Sequence, residues 1–404
     1  MRMTGHWMRK GLRQRSPGSR RRRRSARRGA VAVAATFLVV LGVFASALIL
    51  SWNCLVLLNR DMQHKCDIMA LAAAPELLDE SLLTDAGGAA TGAPPDNAAN
   101  AVRAADQFRQ RNNDLGPAAL AIAAGDVVVQ SGFVADVTRR PPVLETSVQP
   151  HNTIAVMCQS LVSAGHPLHG LLAAVQPSQV FTVRTGAYAT LDNLVVGFRP
   201  SEKAPAPVMP LAIRDAAWDS ERTADNNGNG IREMTLRLKS ATASPDTQLP
   251  AEPNAAVLFY RGTADVRVLP AQAAQGLFLD DLPPDGVLGP ATPAVPFGVA
   301  GTQVADGGDL FTRELKDAIN AVAGQKRAFA LYREIVPSGP SGKDTVRIEG
   351  FVAAVVLGAS VIDNRLIVEI EPCFLIHPTV WTAAPHDALQ PARNLFIHKL
   401  RLSR

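Results

Sequence analysis

The chain has 404 residues, 47% of them hydrophobic and 19% charged, with a formal net charge of +5. This composition excludes a wholly disordered polar chain. It also gives enough sequence for one large domain or two modest ones beside any membrane segment. Residues 1–28 hold twelve Lys or Arg and no acidic residue, so residues 29–404 carry +5 minus 12, which is −7.

That basic tail has two interpretations. Clustered arginines such as Arg20–Arg24 can attract nucleic-acid phosphates. However, this arginine run has no interleaved aromatic residues and no recognisable nucleic-acid-binding motif beside it. Setting membrane topology and contacting anionic lipid is the simpler role. We therefore expect no nucleic-acid partner, and residues 1–28 are predicted to form a cytoplasmic tail.

An uncharged apolar stretch follows, from Ala30 to Leu58. As a helix rising ~1.5 Å per residue it would reach ~43 Å, more than the ~30 Å hydrocarbon thickness of a bilayer. Residues 29–58 are therefore predicted to cross a membrane once, with the outer part of the chain beyond the cytoplasm. The alternative is a cleaved secretory signal, but the stretch is about twice as long as a signal's apolar region.

Helical periodicity continues beyond the span and predicts a helical stem over residues 59–83, interrupted at Pro75. Its apolar stripe consists of Leu55, Leu58, Met62, Cys66, Met69 and Ala73. The stripe has two interpretations. The stem packs on the outer region of its own chain, or it bundles with neighbouring helices, including those of a second copy.

Residues 27–75 resemble the N-terminal module of TadE/TadG-like Flp pilus-assembly proteins. The start of the module is matched by Arg28, Gly29 and Ala30. Its later Gln-x-x-Ala-Asp-Ala-Ala-Ala-Leu-Ala signature is matched by Gln63, Asp67, Ala70, Leu71 and Ala72. Cys66, Ile68 and Met69 replace alanines of that signature. Segments 192–200, 208–213 and 324–327 resemble larger TadG-like proteins more loosely.

The resemblance implies a single-pass protein of the bacterial inner membrane that works in a Flp/Tad-type pilus-assembly or tight-adherence system. Its implied partners are the lipid bilayer and other pilus-assembly or envelope proteins. Pilin-like TadE members carry a Glu five residues after the cleavage-site glycine, whereas Ala34 stands five residues after Gly29 here. The TadG-like branch, which is anchored without that Glu, is therefore the better match.

The sequence beyond the stem predicts an α+β or mainly β region. Residues 84–99 are small and rich in Pro and Gly, which predicts a flexible linker. Residues 100–404 then form one large domain or two subdomains. Helices are predicted at Ala98–Arg111, capped by Asn97 or Asn100, and from Asp309 to Gly324. Strands are predicted at 126–134, 180–185, 191–198, 345–361 and 366–371, the last two joined by a turn.

One polar loop matches the first half of a calcium-binding loop. Asp225, Asn227 and Asn229 occupy positions one, three and five, and Gly230 occupies position six. Position twelve should be Glu but is Leu236, and Glu233 comes three residues early. A tight turn explains the same residues more simply. We therefore expect no cofactor, with a weak calcium site as the alternative.

Catalytic chemistry has little support in the sequence. His166 and His169 are three residues apart, but Pro167 opposes a helix that would aim both at one metal ion. No nucleophile-elbow, zincin, phosphate-loop or dinucleotide motif is present. We therefore expect no enzyme and assign no catalytic residue. The alternatives to a pilus role are an envelope adhesin or ligand-binding ectodomain, or a membrane-anchored hydrolase.

The four cysteines allow few pairings. Cys54 and Cys66 on one helix would lie ~18 Å apart along its axis, too far for a disulfide. Cys158 and Cys373 both lie in the outer region, where an oxidising compartment would allow them to pair. Two buried free thiols are the alternative. If Cys66 is exposed on the stem, it could cross-link two protomers.

Overall fold

A computed structural model describes residues 18–84, 97–115, 122–162, 181–238, 253–260, 266–282, 288–289, 297–299, 308–336, 345–362, 365–383 and 394–403. The protein is α+β, with a long apolar N-terminal helix followed by a β-rich region. It divides into two compact units. One contains Met1–Asp61 and Ser160–Val183, and the other contains Met62–Gln159 and Arg184–Arg404. The division places the described stem residues from Met62 onward with the β-rich region.

Helix α1 spans Gly18–Ala73 and includes both the apolar stretch and the stem. It gives way to a 3-10 turn at Ala74–Leu77, where Pro75 cannot supply the amide hydrogen that a continuing α-helix needs. The other α-helices are α2 Ser81–Thr84, α3 Asn97–Leu115, α4 Asp215–Ser220, α5 Leu269–Gln275 and α6 Gly308–Asn320. The predicted helices at Ala98–Arg111 and from Asp309 are therefore confirmed as α3 and α6.

The strands are β1 Val127–Gly132, β2 Thr153–Val162, β3 Phe181–Asp192, β4 Val195–Phe198, β5 Val208–Arg214, β6 Met234–Arg237, β7 Ala255–Phe259, β8 Phe297–Val299, β9 Lys326–Val336, β10 Thr345–Ile362, β11 Arg365–Pro372, β12 Leu375–Ile376, β13 Val380–Thr382 and β14 Ile397–Ser403. The five predicted strand segments all contain strand residues. The segment predicted at 191–198 is divided, because β3 ends at Asp192 and β4 begins at Val195.

Strands β10 and β11 form the hairpin that the sequence predicts. Their register runs from Ala354 opposite Pro372 to Ile362 opposite Arg365, with one irregularity near Gly358. On β11, Leu366, Val368 and Ile370 are buried, and Glu369 between them is exposed. This alternation confirms the predicted half-buried strand.

A seven-stranded sheet has the order β6-β11-β10-β8-β7-β5-β9, and β10 also pairs with β9. The pairing therefore returns to its starting point, and β5, β7, β8, β10 and β9 form a closed ring of strands. Two apolar clusters lie on opposite faces of these strands. One contains Met209, Leu211 and helix residues of α4, α5 and α6, and the other contains Val208 and Ala212.

A second, five-stranded sheet has the order β1-β2-β3-β14-β12. Strands β1 and β2 are antiparallel, as are β14 and β3, and β12 runs parallel to β14. A short pair, β4 and β13, is also antiparallel. The five-stranded sheet is the element that receives the stem, as described below.

Several sequence predictions fall outside the described residues. These are most of the basic tail, at residues 1–17, most of the linker, at residues 85–96, the pair His166 and His169, and the centre of the β10–β11 turn at residues 363–364.

Candidate functional site

The first candidate functional feature is the apolar surface of α1. Among the described residues, α1 is the one helix long and apolar enough to cross a membrane. Its large side chains are exposed between Val31 and Leu50, with Val33 at 71% and Phe37 at 67% relative exposure. Exposed apolar surface costs about 25 cal/mol per Å² in water, so a surface of this kind requires an apolar covering.

The few hydroxyl groups in this stretch are satisfied within the helix. Thr36 Oγ1 donates to the backbone oxygen of Ala32 at 3.0 Å, and Ser46 Oγ donates to that of Gly42 at 2.8 Å. A hydroxyl bonded to the carbonyl four residues earlier needs no water. The segment can therefore lie in hydrocarbon without leaving these hydroxyls unpaired.

The stem part of α1 has the opposite character, because its apolar stripe is buried. Met62, Cys66, Met69 and Ala73 are each at most 1% exposed, although the residues between them are charged or polar in several places. The contacts described below show that β2 and β3, in the outer region of the same chain, cover this stripe. Of the two interpretations of the stripe, packing on the chain's own outer region is therefore confirmed. Association of two copies through the stem stays a prediction.

Two of the polar residues on which the sequence resemblance rests, Gln63 and Asp67, take part in this packing. Gln63 Nε2 donates to Asp67 Oδ1 at 2.9 Å and to the backbone oxygen of Gly186 on β3 at 2.9 Å. Asp67 is 4% exposed and Ala70 is fully buried, whereas Leu71 and Ala72 are half-buried. Arg28, Gly29 and Ala30, which match the start of the module, lie in the helical backbone of α1.

A disulfide joins the stem to the five-stranded sheet. Cys66 of α1 is bonded to Cys158 of β2, with their Cα atoms 6.5 Å apart. This separation lies within the range that disulfides allow. Cys66 is fully buried and Cys158 is 1% exposed, and Thr185 Oγ1 on β3 lies 3.2 Å from Cys66 Sγ. We call this group the stem clamp; it comprises the stem residues Met62, Gln63, Cys66, Asp67, Met69 and Ala73 and the sheet residues Cys158, Thr185 and Gly186.

The predicted pairing of Cys158 with Cys373 is therefore wrong. Cys373 is a free, buried thiol that follows β11 and packs in a core of the seven-stranded sheet. Burial is the main cause that raises the pKa of its thiol to about 12. The correct partner lies 92 residues from Cys158 on a docked helix. Cys66 is not the exposed thiol that a cross-link between protomers would need, and Cys54 is free and half-buried.

Helix α3 connects the end of the stem to the start of the sheet. Asn97 Nδ2 donates to the backbone oxygens of Leu77 and Leu78, at 3.5 and 3.4 Å. At the other end of α3, Arg109 Nη1 and Asn113 Nδ2 donate to the backbone oxygen of Ile122, at 3.0 and 2.8 Å. Asn97 is the first residue of α3, close to the predicted start, and its side-chain amide bonds carbonyls at the end of the 3-10 turn Ala74–Leu77.

The loop at Asp225–Glu233 is closed as a turn. Glu233 N donates to the oxygen of Ala224 at 2.6 Å, and the Asp225 carboxylate accepts from the amides of Gly228 and Gly230, at 2.8 and 2.9 Å. Both glycines have positive φ, at 73° and 83°. These contacts support the tight-turn interpretation.

The sequence alone did not indicate that Glu371 of β11 faces this loop. Its Oε2 accepts from Asn227 Nδ2 at 2.5 Å and from Asn229 Nδ2 at 3.0 Å. Strand pairing between β11 and β6, which is a long-range contact, places Glu371 there. Within the described residues, no group of three His, Cys, Asp or Glu side chains could hold a metal ion. Calcium binding by this loop stays a prediction.

The imidazole of His398 is a buried polar group on β14, between β3 and β12 in the five-stranded sheet. His398 of β14 is 7% exposed and packs edge-on against Phe374, with ring centroids 6.0 Å apart. Burial lowers the pKa of His398 to about 4, against smaller opposite effects of the Leu395 carbonyl and the Asp192 carboxylate. The imidazole is therefore neutral at neutral pH.

Comparisons of this chain with protein-family models, with curated proteins and with solved structures give no match. Its function is therefore inferred from its own residues and contacts, together with the resemblance of residues 27–75.

Proposed function

We propose that the chain is a single-pass protein of the bacterial inner membrane with its N-terminus in the cytoplasm. In this proposal α1 anchors the chain, and the stem clamp fixes the outer α+β region to the anchor. The observation that carries the proposal is the exposed, uncharged surface of residues 31–50 on the same helix as a fully buried stem stripe. Lipid would cover the first segment, as the outer region covers the second.

Two independent features support this orientation. The basic tail resists translocation and favours a cytoplasmic N-terminus. Cys66 and Cys158 lie beyond the span, and disulfides form and persist in oxidising compartments such as the bacterial periplasm. Both features support an outer region on the side of the membrane away from the cytoplasm.

We further propose a non-enzymatic role in Flp/Tad-type pilus assembly or tight adherence, within the TadG-like branch. The signature residues Gln63 and Asp67 support this proposal, since their contacts give the signature a physical role in docking the stem. The outer region would then present its surface to other assembly or envelope proteins.

A topology experiment tests the anchor and its orientation. A phosphatase that folds only outside the cytoplasm is fused after residue 404 or before residue 1 of the full chain. We expect activity from the first fusion alone, because the basic tail stays inside. Replacing Arg20–Arg24 with Glu removes five of the twelve basic residues and should lower that activity. Activity from the N-terminal fusion would contradict the proposed orientation.

A deletion experiment tests the pilus role separately. A strain lacking the protein is examined for surface fibres by electron microscopy and then complemented with the full chain or with Gln63→Leu. We expect loss of fibres on deletion, full recovery with the natural chain and weaker recovery with the variant. Normal fibres after deletion would contradict a pilus role while leaving the membrane anchor unaffected.

A further inference from the structure

Two covalent routes connect the membrane helix to the outer region. The first is the backbone from Asp67 to Met157, which includes α2, α3, β1 and the linker predicted at residues 84–99. The second is the Cys66–Cys158 disulfide, which leads directly from the stem to β2. The second route omits all 91 residues that lie between the two cysteines, as follows from their sequence separation of 92.

We propose that the disulfide is the mechanical connection between anchor and outer region, and that it is a redox-dependent lock. Tension along α1 enters the outer region at β2, and the backbone from the stem to the start of β1, residues 67–126, carries none of it. This inference rests on the proposed anchoring function, because tension requires a helix held in a membrane. When the disulfide is formed, the linker predicted at residues 84–99 does not determine how far the outer region can move from the stem.

The position of Cys158 suits this role. In the sheet order, β2 lies between β1 and β3, so it is paired along both edges. Cys158 itself is opposite Val127 of β1, and β1 and β2 are in register over six residue pairs. A pull on Cys158 is therefore shared among hydrogen bonds to two neighbouring strands, which must shear together before the strand moves.

Each non-covalent contact of the stem clamp is much weaker than the covalent disulfide bond. These contacts are the packing of the buried stripe at Met62, Met69 and Ala73, and the hydrogen bond from Gln63 to Gly186. Such contacts can separate one after another, and a single hydrogen bond contributes only about 1 kcal/mol. Without the disulfide, tension on α1 would peel the stem from the sheet and extend the chain between residues 67 and 157.

Formation of the disulfide needs an acceptor of two electrons, and the disulfide of a thiol oxidase can serve as this acceptor. A disulfide carried by a thiol oxidase of the outer compartment exchanges first with one cysteine thiolate and releases one thiol. The second cysteine thiolate then attacks the mixed disulfide, forms the Cys66–Cys158 bond and releases the second thiol of the oxidase. Two protons and two electrons leave the protein. Because both sulfurs are buried after docking, the exchange precedes complete docking, and the finished bond is shielded from reductants.

A cleavage experiment on the full chain tests the lock. A protease site is inserted between Gly88 and Ala89, and the protein is reconstituted in lipid vesicles and cut there. The vesicles are washed with a urea series and sedimented, and the outer fragment is measured in the pellet by gel without reductant. We expect at least tenfold more fragment retained by the natural cysteines than by Cys66→Ser/Cys158→Ser. Addition of dithiothreitol in urea should abolish that difference.

Two controls separate the lock from the anchor and from folding. Uncut protein must sediment with the vesicles in every sample, since its loss would mean failure of the anchor. Cys54→Ser/Cys373→Ser should retain the fragment as the natural chain does. If the double serine variant does not fold, natural protein reduced with dithiothreitol in urea gives the same comparison, because urea exposes the buried disulfide. Release of the natural fragment without reductant, or equal retention by the serine variant, would overturn the proposal.

Discussion

At the scale of single residues, two glycines beside the β4–β13 pair lie where an added side chain would collide with backbone. Gly197 has a φ of 153°, and a Cβ atom there would lie 1.9 Å from the backbone oxygen of Leu288. A Cβ at Gly289 would meet the oxygen of Val196 at 2.0 Å. Mutual hydrogen bonds between Phe198 and Leu288 hold the two segments at this distance. Both glycines are therefore required by the packing of backbone against backbone.

We expect Gly197→Ala to lower the free energy of unfolding by about 3 kcal/mol or more, since backbone must move to admit the methyl group. Gly350→Ala in β10 is the matched control, because nothing lies within 4 Å of its added Cβ. It should change stability by less than about 0.5 kcal/mol. Urea unfolding of the full chain in detergent micelles, followed by tryptophan fluorescence, measures both. Equal effects of the two variants would contradict this account.

Gln63→Leu should destabilise the docked stem by about 1 to 3 kcal/mol, because it leaves the Gly186 carbonyl without its donor and removes the bond to buried Asp67. His64→Ala serves as control, since the neighbouring His64 side chain is exposed. Hydrogen exchange of the β3 amides and urea unfolding would both report the loss. No loss in Gln63→Leu would mean that apolar packing alone holds the stem.

His398 should make stability depend on pH. Its pKa is lowered to about 4 in the folded chain, below the ordinary 6.5. Below pH 6.5 the unfolded chain therefore binds a proton that the folded chain does not, and stability falls as the pH is lowered to about 4. The loss from this group is at most roughly 3 kcal/mol. His398→Phe should remove that part of the slope in pH-dependent urea unfolding, and an unchanged slope would refute the assignment.

Residue-level prediction from sequence succeeded where the signal was local. Gln63, Asp67 and Cys66 could be singled out because they share one helix and a known spacing. Cys158 as the partner of Cys66, and Glu371 as the acceptor for Asn227, could not be predicted. Both depend on strands and helices that meet only in the folded chain.

At the scale of elements, α1 is a single helix whose two parts lie in different surroundings. Its side chains are exposed almost all round from residue 31 to residue 50, whereas only one stripe is apolar and buried from Met62 to Ala73. A helix that is apolar on every side suits lipid, and an amphipathic helix suits a protein surface. The change of pattern along one continuous helix separates a segment suited to lipid from a segment that packs on protein.

Two arginines placed on one side of the apolar segment should impair membrane insertion. We expect Val40→Arg/Phe44→Arg to add roughly 5 to 7 kcal/mol to insertion, since each arginine at the centre of a span costs about 2.5 to 3.5 kcal/mol. Val40→Leu/Phe44→Leu keeps the segment apolar and should insert normally. Alkaline extraction of membranes measures the inserted fraction. Full insertion of the arginine variant would argue against a membrane-spanning role for this segment.

Elements were predictable to the extent that their contacts are local. The β10–β11 hairpin and helix α6 follow from alternation, turn residues and caps within one segment. The parallel pairing of β5 with β9 and the closure of β9 onto β10 do not. Residues such as Ala212 and Ala330 pair across more than a hundred positions, and no short pattern in either strand specifies the other.

At the scale of the whole molecule, strand β14 supports the sheet that holds the stem. It pairs with β3 from Lys399 opposite Asp192 to Ser403 opposite Tyr188, and Arg401 Nε bonds Asp192 Oδ2 at 2.8 Å. Strand β3 in turn supplies Gly186 and Thr185 to the stem clamp. Removal of β14 therefore exposes one edge of β3 from Tyr188 to Asp192, directly after the residues of β3 that contact the stem.

A stop after Phe396, which removes β14, should leave the stem undocked in most molecules. We expect a lower yield of the Cys66–Cys158 disulfide and rapid proteolysis of the outer region, because β3 loses one of its two partner strands. A stop after Leu402 retains most of β14 and is the control. Thiol labelling under denaturing conditions gives the disulfide yield. A normal yield in the shorter chain would show that β14 is dispensable for docking.

The place of β14 also bears on how such a chain would be made. If the chain is exported as proposed, its residues emerge in sequence order, and the stem emerges several hundred residues before the strand that completes its docking sheet. Throughout that interval Met62, Met69 and the two cysteines would be uncovered. A nascent chain would thus offer both an adhesive stripe and reactive thiols, which makes it a client for holding chaperones and thiol oxidases until translation is nearly finished.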